Sequence, residues 1–279
     1  MCASSEGWKN RLLQAIEYVV DLGATGVYLD QLAMAPPKTC HSKDHNHRSD
    51  DWCEGYKDML AKANKIKTKS GEPISIIIEG CSDLFGSLVN GSLVSTFISL
   101  HSGAFPELYR YTFPKQRLVD MVYPKNNLAM RPVHVAQRSS DMINKSFVTD
   151  IYFWVYDLEE DNSFFEDPEQ LGYLKKVIEL KKNWHQKYVG FVFADEKGIS
   201  EKSEELTAKF YYKDDLCLIA YASDGKTVCD LKTIFPAELI EFNCAEGVDS
   251  VYEELVPDLC YIKIAYSRCG TILLKKLKN

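Results

Sequence analysis

Two short apolar runs, Val27-Tyr28-Leu29 and Ile76-Ile77-Ile78, each end on an acid, Asp30 and Glu79, and each follow a segment with helical spacing. Strands that are apolar at nearly every position belong to parallel sheets covered by their own crossover helices. Residues 8–22, WKNRLLQAIEYVVDL, repeat apolar side chains at helical intervals, and Gly23 stands where a helix end wants a positive φ. A strand is expected over 26–30, a second helix from Glu54 to about Ser70, and a second strand in ISIIIEG after the SGEP turn. The alternation continues with strands expected at 93–100 and 106–113, a helix in AQRSSDMINKSFV, a strand at 151–158 and an amphipathic helix at 168–185.

From Tyr188 onward the periods are short and strand-like: YVGFVF, AKFYYK, LCLIAYA, TVCDL, LIEFN and CYIKIAY. SDGK, between LCLIAYA and TVCDL, reads as a turn joining two β runs. These textures predict an α/β region over 1–187 and an all-β sandwich over 188–279. The closing KKLKN reads as a solvated tail.

The net charge of -7 and pI near 5.5 argue against the basic face that nucleic-acid binding needs. No apolar run approaches the ~20 residues that cross a bilayer, so no membrane partner is expected. MCASSEGWKN has neither a basic nor an apolar leader region, so a cytoplasmic location is the default and the nine cysteines are expected as reduced thiols.

In parallel α/β folds the functional groups collect where strands end and loops begin. Asp30 and Glu79 both occupy that position, separated by one loop, one helix and one strand. Adjacent strands would present the two carboxylates side by side. Such a pair, about 5–5.5 Å apart, suits glycoside hydrolysis with retention, and a gap of about 6.5–9.5 Å suits inversion. The alternative is that each acid caps a following turn or helix.

The loop after Asp30 offers Cys40, His41, His45, His47 and Cys53, which are ligand types that zinc accepts. The spacing lacks the paired C-x2-C of a structural finger, and neither a metal nor another cofactor is expected. His45 and His47 could instead hydrogen-bond sugar hydroxyls while Trp52 or Tyr28 provides a stacking face. Nucleophile-elbow, P-loop, dinucleotide and zinc-protease motifs are absent. Cys81 with His101 is a weaker nucleophile pair, and Asp157 a further strand-end acid.

The residues MCASSEGWKNRLLQAIEYVVDLGATGVYLDQLAMAPPKTC, then HNH, WCEGY and the strand-end IEG, resemble part of the catalytic barrel of a bacterial glycoside-hydrolase-like family of unknown function. That family is similar to endo-α-N-acetylgalactosaminidases and to α-amylase-type barrels. The resemblance implies a partial TIM (β/α)8-type barrel, its C-terminal half, followed by the sandwich. It implies Asp30 as nucleophile, Glu79 as acid/base, and Gln31, His45 and His47 lining the sugar site. Family members carry three strands before the segment where this chain begins, so a fragment, or a barrel completed by another chain, is expected. The resulting expectation is retaining hydrolysis of an α-linked glycoside. The alternative is a truncated, non-catalytic protein that binds carbohydrate or a partner.

Overall fold

The computed structural model describes residues 2–94, 106–122, 139–155, 167–246, 250–256 and 259–277. It is a mixed α/β structure with one sheet built from parallel pairs and two antiparallel sheets. Contacts divide the chain into two units, residues 1–96 with 115–119 and residues 97–114 with 120–279.

The first unit begins with α1 (Glu6–Asp21), β1 (Gly26–Leu29), α2 (Trp52–Ala63), β2 (Ser75–Glu79) and β3 (Gly91–Leu93). Its strands pair in parallel: Gly26 to Leu29 of β1 with Ser75 to Ile78, and Ile77 to Glu79 of β2 with Gly91 to Leu93. β3 continues the pattern against Arg117 to Val119 of β4 (Arg117–Val122). The sheet order is β1-β2-β3-β4-β5, five strands among the described residues, with β5 at Tyr152–Val155.

The unbroken apolar run of β2 is not uniformly dry. Ile76 and Ile78 are wholly buried against Ile16 and Val20 of α1 and Met59, Leu60 and Ala63 of α2, together with Leu29. Ser75, Ile77 and Glu79, on the other side of the pleat, are only half-buried. The second helix is shorter than its composition predicts. It ends at Ala63 because the Asn64 side chain bonds the carbonyls of Leu60 and Leu88 and the backbone turns at Thr68 and Gly71. The strand expected at 93–100 lies mostly outside the described residues, as do His101 and Asp157.

In the second unit, residues 106–113, expected as a strand, form a helix instead, α3 (Pro106–Thr112). Helical spacing places Glu107 and Arg110 on its buried side, and the Tyr109 and Phe113 rings lie 4.8 Å apart one turn from each other. The two expected later helices are present as α4 (Ser139–Val148) and α5 (Pro168–Lys187). Asp167 caps the latter by accepting from the Gln170 N–H.

The antiparallel part has a five-stranded sheet, β11-β14-β9-β8-β6, and a four-stranded sheet, β12-β13-β10-β7. In sequence these strands are β6 (Val192–Asp195), β7 (Ile199–Lys202), β8 (Thr207–Lys213), β9 (Leu216–Ala222), β10 (Val228–Thr233), β11 (Ala237–Glu246), β12 (Ser250–Val256), β13 (Leu259–Ala265) and β14 (Cys269–Lys276). LCLIAYA, the run in β9, is buried almost throughout because both of its faces are covered. Cys217, Ile219 and Tyr221 point into the core shared with the second sheet, alongside Leu231, Ile262 and Ile264. Leu218, Ala220 and Ala222 point to Phe147 of α4 and Leu174, Val177 and Trp184 of α5.

SDGK joins two β runs as expected, and it carries the chain from β9 in one sheet to β10 in the other. One sequence expectation changes here. Lys275 and Lys276 are not tail residues; they end β14, which pairs with both β9 and β11.

One buried charge cluster holds this unit's helices. Asp150 accepts from Arg110 Nη2 at 2.7 Å and from Lys181 Nζ at 2.8 Å, and its Oδ1 lies 2.6 Å from His185 Nε2. Burial alone would raise the Asp150 pKa, but Lys181, His185 and Arg110 outweigh it and hold the carboxyl well below the ordinary value. Such a carboxylate contributes stability above its unfolded pKa, and that stability is lost as pH falls through the depressed folded value. Asp150→Asn leaves buried cations without their counter-charge and should cost on the order of 3–5 kcal/mol at pH 7. Urea denaturation of wild type and variant should show that gap at neutral pH and its narrowing in strong acid; a gap independent of pH would refute the assignment.

Candidate functional site

β1 and β2 end side by side, their register running to Leu29 opposite Ile78, and the next residues are Asp30 and Glu79. The turn after Asp30 is fastened to β2 at both its backbone and a side chain. Glu79 Oε2 accepts from the Gln31 backbone N–H and from Gln31 Nε2, each at 2.9 Å, and the Glu79 carbonyl accepts from the Ala33 N–H at 3.0 Å. Gln31 adopts φ +60, a left-handed conformation that costs a non-glycine residue about 1–2 kcal/mol, and in it the N–H faces the Glu79 carboxylate.

Tyr28 stands near both acids. Burial, then the charges of Glu79 and Asp30, push its pKa up, so its hydroxyl stays protonated. Tyr28, Gln31, Asp30 and Glu79 therefore form one constellation at the C-terminal ends of two parallel strands. Asp30 and Gln31 are exposed and Glu79 is half-buried, so the group is open to a polar ligand.

The remaining sequence candidates make other contacts. Trp52 starts α2 and packs edge-on to Tyr56 at 5.0 Å and near Phe85 at 6.1 Å, against the core containing Leu29, Ile76 and Ile78. His45 and His47 lie with their rings 5.4 Å apart, beside the sulfurs of Cys40 and Cys2. Cys2 went unmarked in the sequence because it stands far from the histidine-rich loop. Gly80, also unmarked, follows Glu79 in IEG with φ +85; a Cβ there would meet Met34 Sδ at 2.8 Å and the Ala33 carbonyl carbon at 3.2 Å. The turn bearing Gln31 thus rests directly on Gly80.

A family described as "Domain of unknown function (DUF6259)" matches residues 1–98, the span that contains the whole constellation. No curated protein matches the sequence. Among solved structures, the chain is similar to a noncanonic maltogenic alpha-amylase, AmyB, from Thermotoga neapolitana, with a TM-score of 0.62 and 10% identity over 99% of this chain and 67% of that one. It is similar to the alpha-amylase of H. orenii, with a TM-score of 0.61 and 10% identity over 98% of this chain and 65% of the other. AmyP in complex with maltose gives a TM-score of 0.52 and 10% identity over 97% and 69%. The fold is similar to that of alpha-amylases, and the chain spans about two thirds of the length of these three proteins. No helix among the described residues is long and apolar enough to cross a membrane.

Gly80→Ala tests the local architecture. The added methyl meets Met34 and Ala33 and must adopt a positive φ, so the substitution should cost about 1–3 kcal/mol in chemical denaturation. An unchanged denaturation midpoint would show that the turn does not rest there.

Proposed function

We propose that this chain is a retaining glycoside hydrolase acting on an α-linked glycoside, with Asp30 as nucleophile and Glu79 as acid/base. The observation that carries the reading is the pair of acids at the ends of adjacent parallel strands, where Gln31, the residue after Asp30, is bonded to Glu79 through its backbone N–H and its side chain. The likeness of the fold to alpha-amylases and to AmyP, the latter in complex with maltose, supports a sugar substrate. In this proposal residues 1–187 supply the barrel portion and 188–279 the sandwich.

The Asp30 carboxylate attacks the anomeric carbon while Glu79 delivers a proton to the departing glycosidic oxygen, leaving a glycosyl ester on Asp30. Glu79, now ionised, takes a proton from water, which attacks the same carbon and frees Asp30. The Tyr28 hydroxyl steadies Asp30 in its attacking position, and the Gln31 amide steadies Glu79. Gln31, exposed at the same strand ends, donates to a substrate hydroxyl in this reading. A second reading is a carbohydrate- or partner-binding protein without turnover.

A panel of aryl α-glycosides, including galactoside, N-acetylgalactosaminide and glucoside, separates these readings. Wild type should turn over one of them and Asp30→Asn none. Glu79→Gln should lower kcat by about 10²–10⁴-fold on substrates with poor leaving groups, and by much less on activated ones that need little protonation. Silence from folded wild type across the panel, with sugar binding retained, would leave the non-catalytic reading standing.

A further inference from the structure

The loop between Asp30 and α2 holds a second cluster that the sugar chemistry does not use. One ligand atom from each of Cys2, Cys40, His45 and His47 lies within 4.8 Å of every other. Cys2 Sγ stands 3.1 Å from His47 Nε2, and Cys40 Sγ stands 3.3 Å from His45 Nδ1. A tetrahedral zinc ion, with bonds of about 2.3 Å to sulfur and about 2.0–2.1 Å to nitrogen, sets sulfur–nitrogen edges of roughly 3.5 Å. We propose that these four side chains form a structural zinc site of the Cys2His2 type.

The supporting shell has the features such a site requires. His47 Nδ1 lies 2.6 Å from the Arg48 carbonyl, so Nδ1–H donates there and the Nε2 lone pair is left facing Cys2. The Cys40 N–H donates to the Ser49 carbonyl at 2.8 Å, which closes residues 40–49 into a loop carrying three of the ligands. The Arg48 N–H donates to Asp51 Oδ2 at 2.9 Å and fixes the loop to the start of α2.

Cys2 is brought in by the segment after it. Ala3 is buried on α2, and a Cβ at Gly55 would meet the Ala3 carbonyl carbon at 2.5 Å, so only glycine allows this approach. Ser4 Oγ bonds the Asp51 carbonyl, and the Ser5 N–H donates to the Cys2 carbonyl at 3.1 Å. Two isolated thiol–imidazole hydrogen bonds would account for each pair, but not for the convergence of both pairs on one point.

Two thiolates and two imidazoles in a compact group select zinc over the hard cations, which take oxygen ligands. Four protein ligands close the coordination sphere, so the ion is structural and activates no water. Binding converts both thiols to thiolates and releases two protons, leaving the centre uncharged overall. His41 and Cys53, the other ligand types of this loop, lie outside the group. The inference is independent of the reaction assigned to Asp30 and Glu79.

The test uses the 279-residue chain, without a polyhistidine tag, purified under a reducing agent. Incubation with zinc followed by gel filtration and elemental analysis should leave about one zinc per chain. Cobalt in its place should give the thiolate charge-transfer and tetrahedral ligand-field bands. Cys2→Ser, Cys40→Ser and His45→Ala should each lose stoichiometric retention, whereas Cys53→Ser and His41→Ala keep it. Zinc should also slow proteolytic cleavage within residues 40–49, and a chelator should reverse that. Folded wild type that retains no zinc overturns the proposal, whatever the variants do. Full retention in a Cys2→Ser/Cys40→Ser double variant, or a Cys2–Cys40 disulfide found by mass analysis under the same reducing conditions, overturns it equally.

Discussion

Pleat alternation in two neighbouring parallel strands governs the first unit. Because side chains of a strand point alternately to opposite faces, Leu29, Ile76 and Ile78 go to the helix-covered side together. Tyr28 and Ile77 then share the other side, and extending the same parity past the last paired residues brings Asp30 and Glu79 to it. A one-residue slip of β1 against β2 would bury a carboxylate among the isoleucines, at a cost of several kcal/mol, so the apolar core also enforces the placement of the acids.

The second unit answers a different constraint. Its central strands, β9 and β14, have no wet face, since one side meets the second sheet and the other meets α4 and α5. Helices packed against an almost wholly apolar sheet gain little orientation from hydrophobic contact, which is non-directional. The Asp150 cluster adds direction: one carboxylate takes Arg110 from α3 and Lys181 and His185 from α5, and so fixes the register of both. The same logic applies at Lys209 of β8, which pairs with Asp195 and, at 3.1 Å, with Glu107.

Much of the secondary structure is legible in the sequence where periodicity is long and apolar positions are many. α1 and α5, and the strands β1, β2 and β9, stand where their patterns put them. The failures share a cause. In 106–113 aromatic side chains suggest a strand, but the buried pair Glu107 and Arg110 at helical spacing decides for a helix, and that pair declares itself only through partners remote in sequence. β14 escapes notice because it opens on Cys-Gly and closes on two lysines, yet it is the strand that joins β9 to β11. The SDGK turn chemistry is local and reads correctly as a turn; which sheet receives the next strand is a tertiary matter.

At the site, the strand-end acids follow from pattern alone, because an apolar run that stops at a carboxylate is visible without coordinates. The work of Gln31 and Tyr28 is not, since it depends on a left-handed turn and on register. The histidine-rich loop shows the limit most clearly. Within residues 31–51 only Leu32 is buried, so hydrophobic contact cannot hold so long a connection in one conformation. Its order must come from directional bonds, and the structure supplies them at Glu79, at Asp51 and at the point where Cys2 meets Cys40, His45 and His47. Sequence spacing within the loop offers three of those four ligands and hides the fourth. A zinc finger carries all its ligands in one short segment, whereas here the helix α1 and strand β1 intervene, and the buried Ala3 against Gly55 makes the distant residue a neighbour.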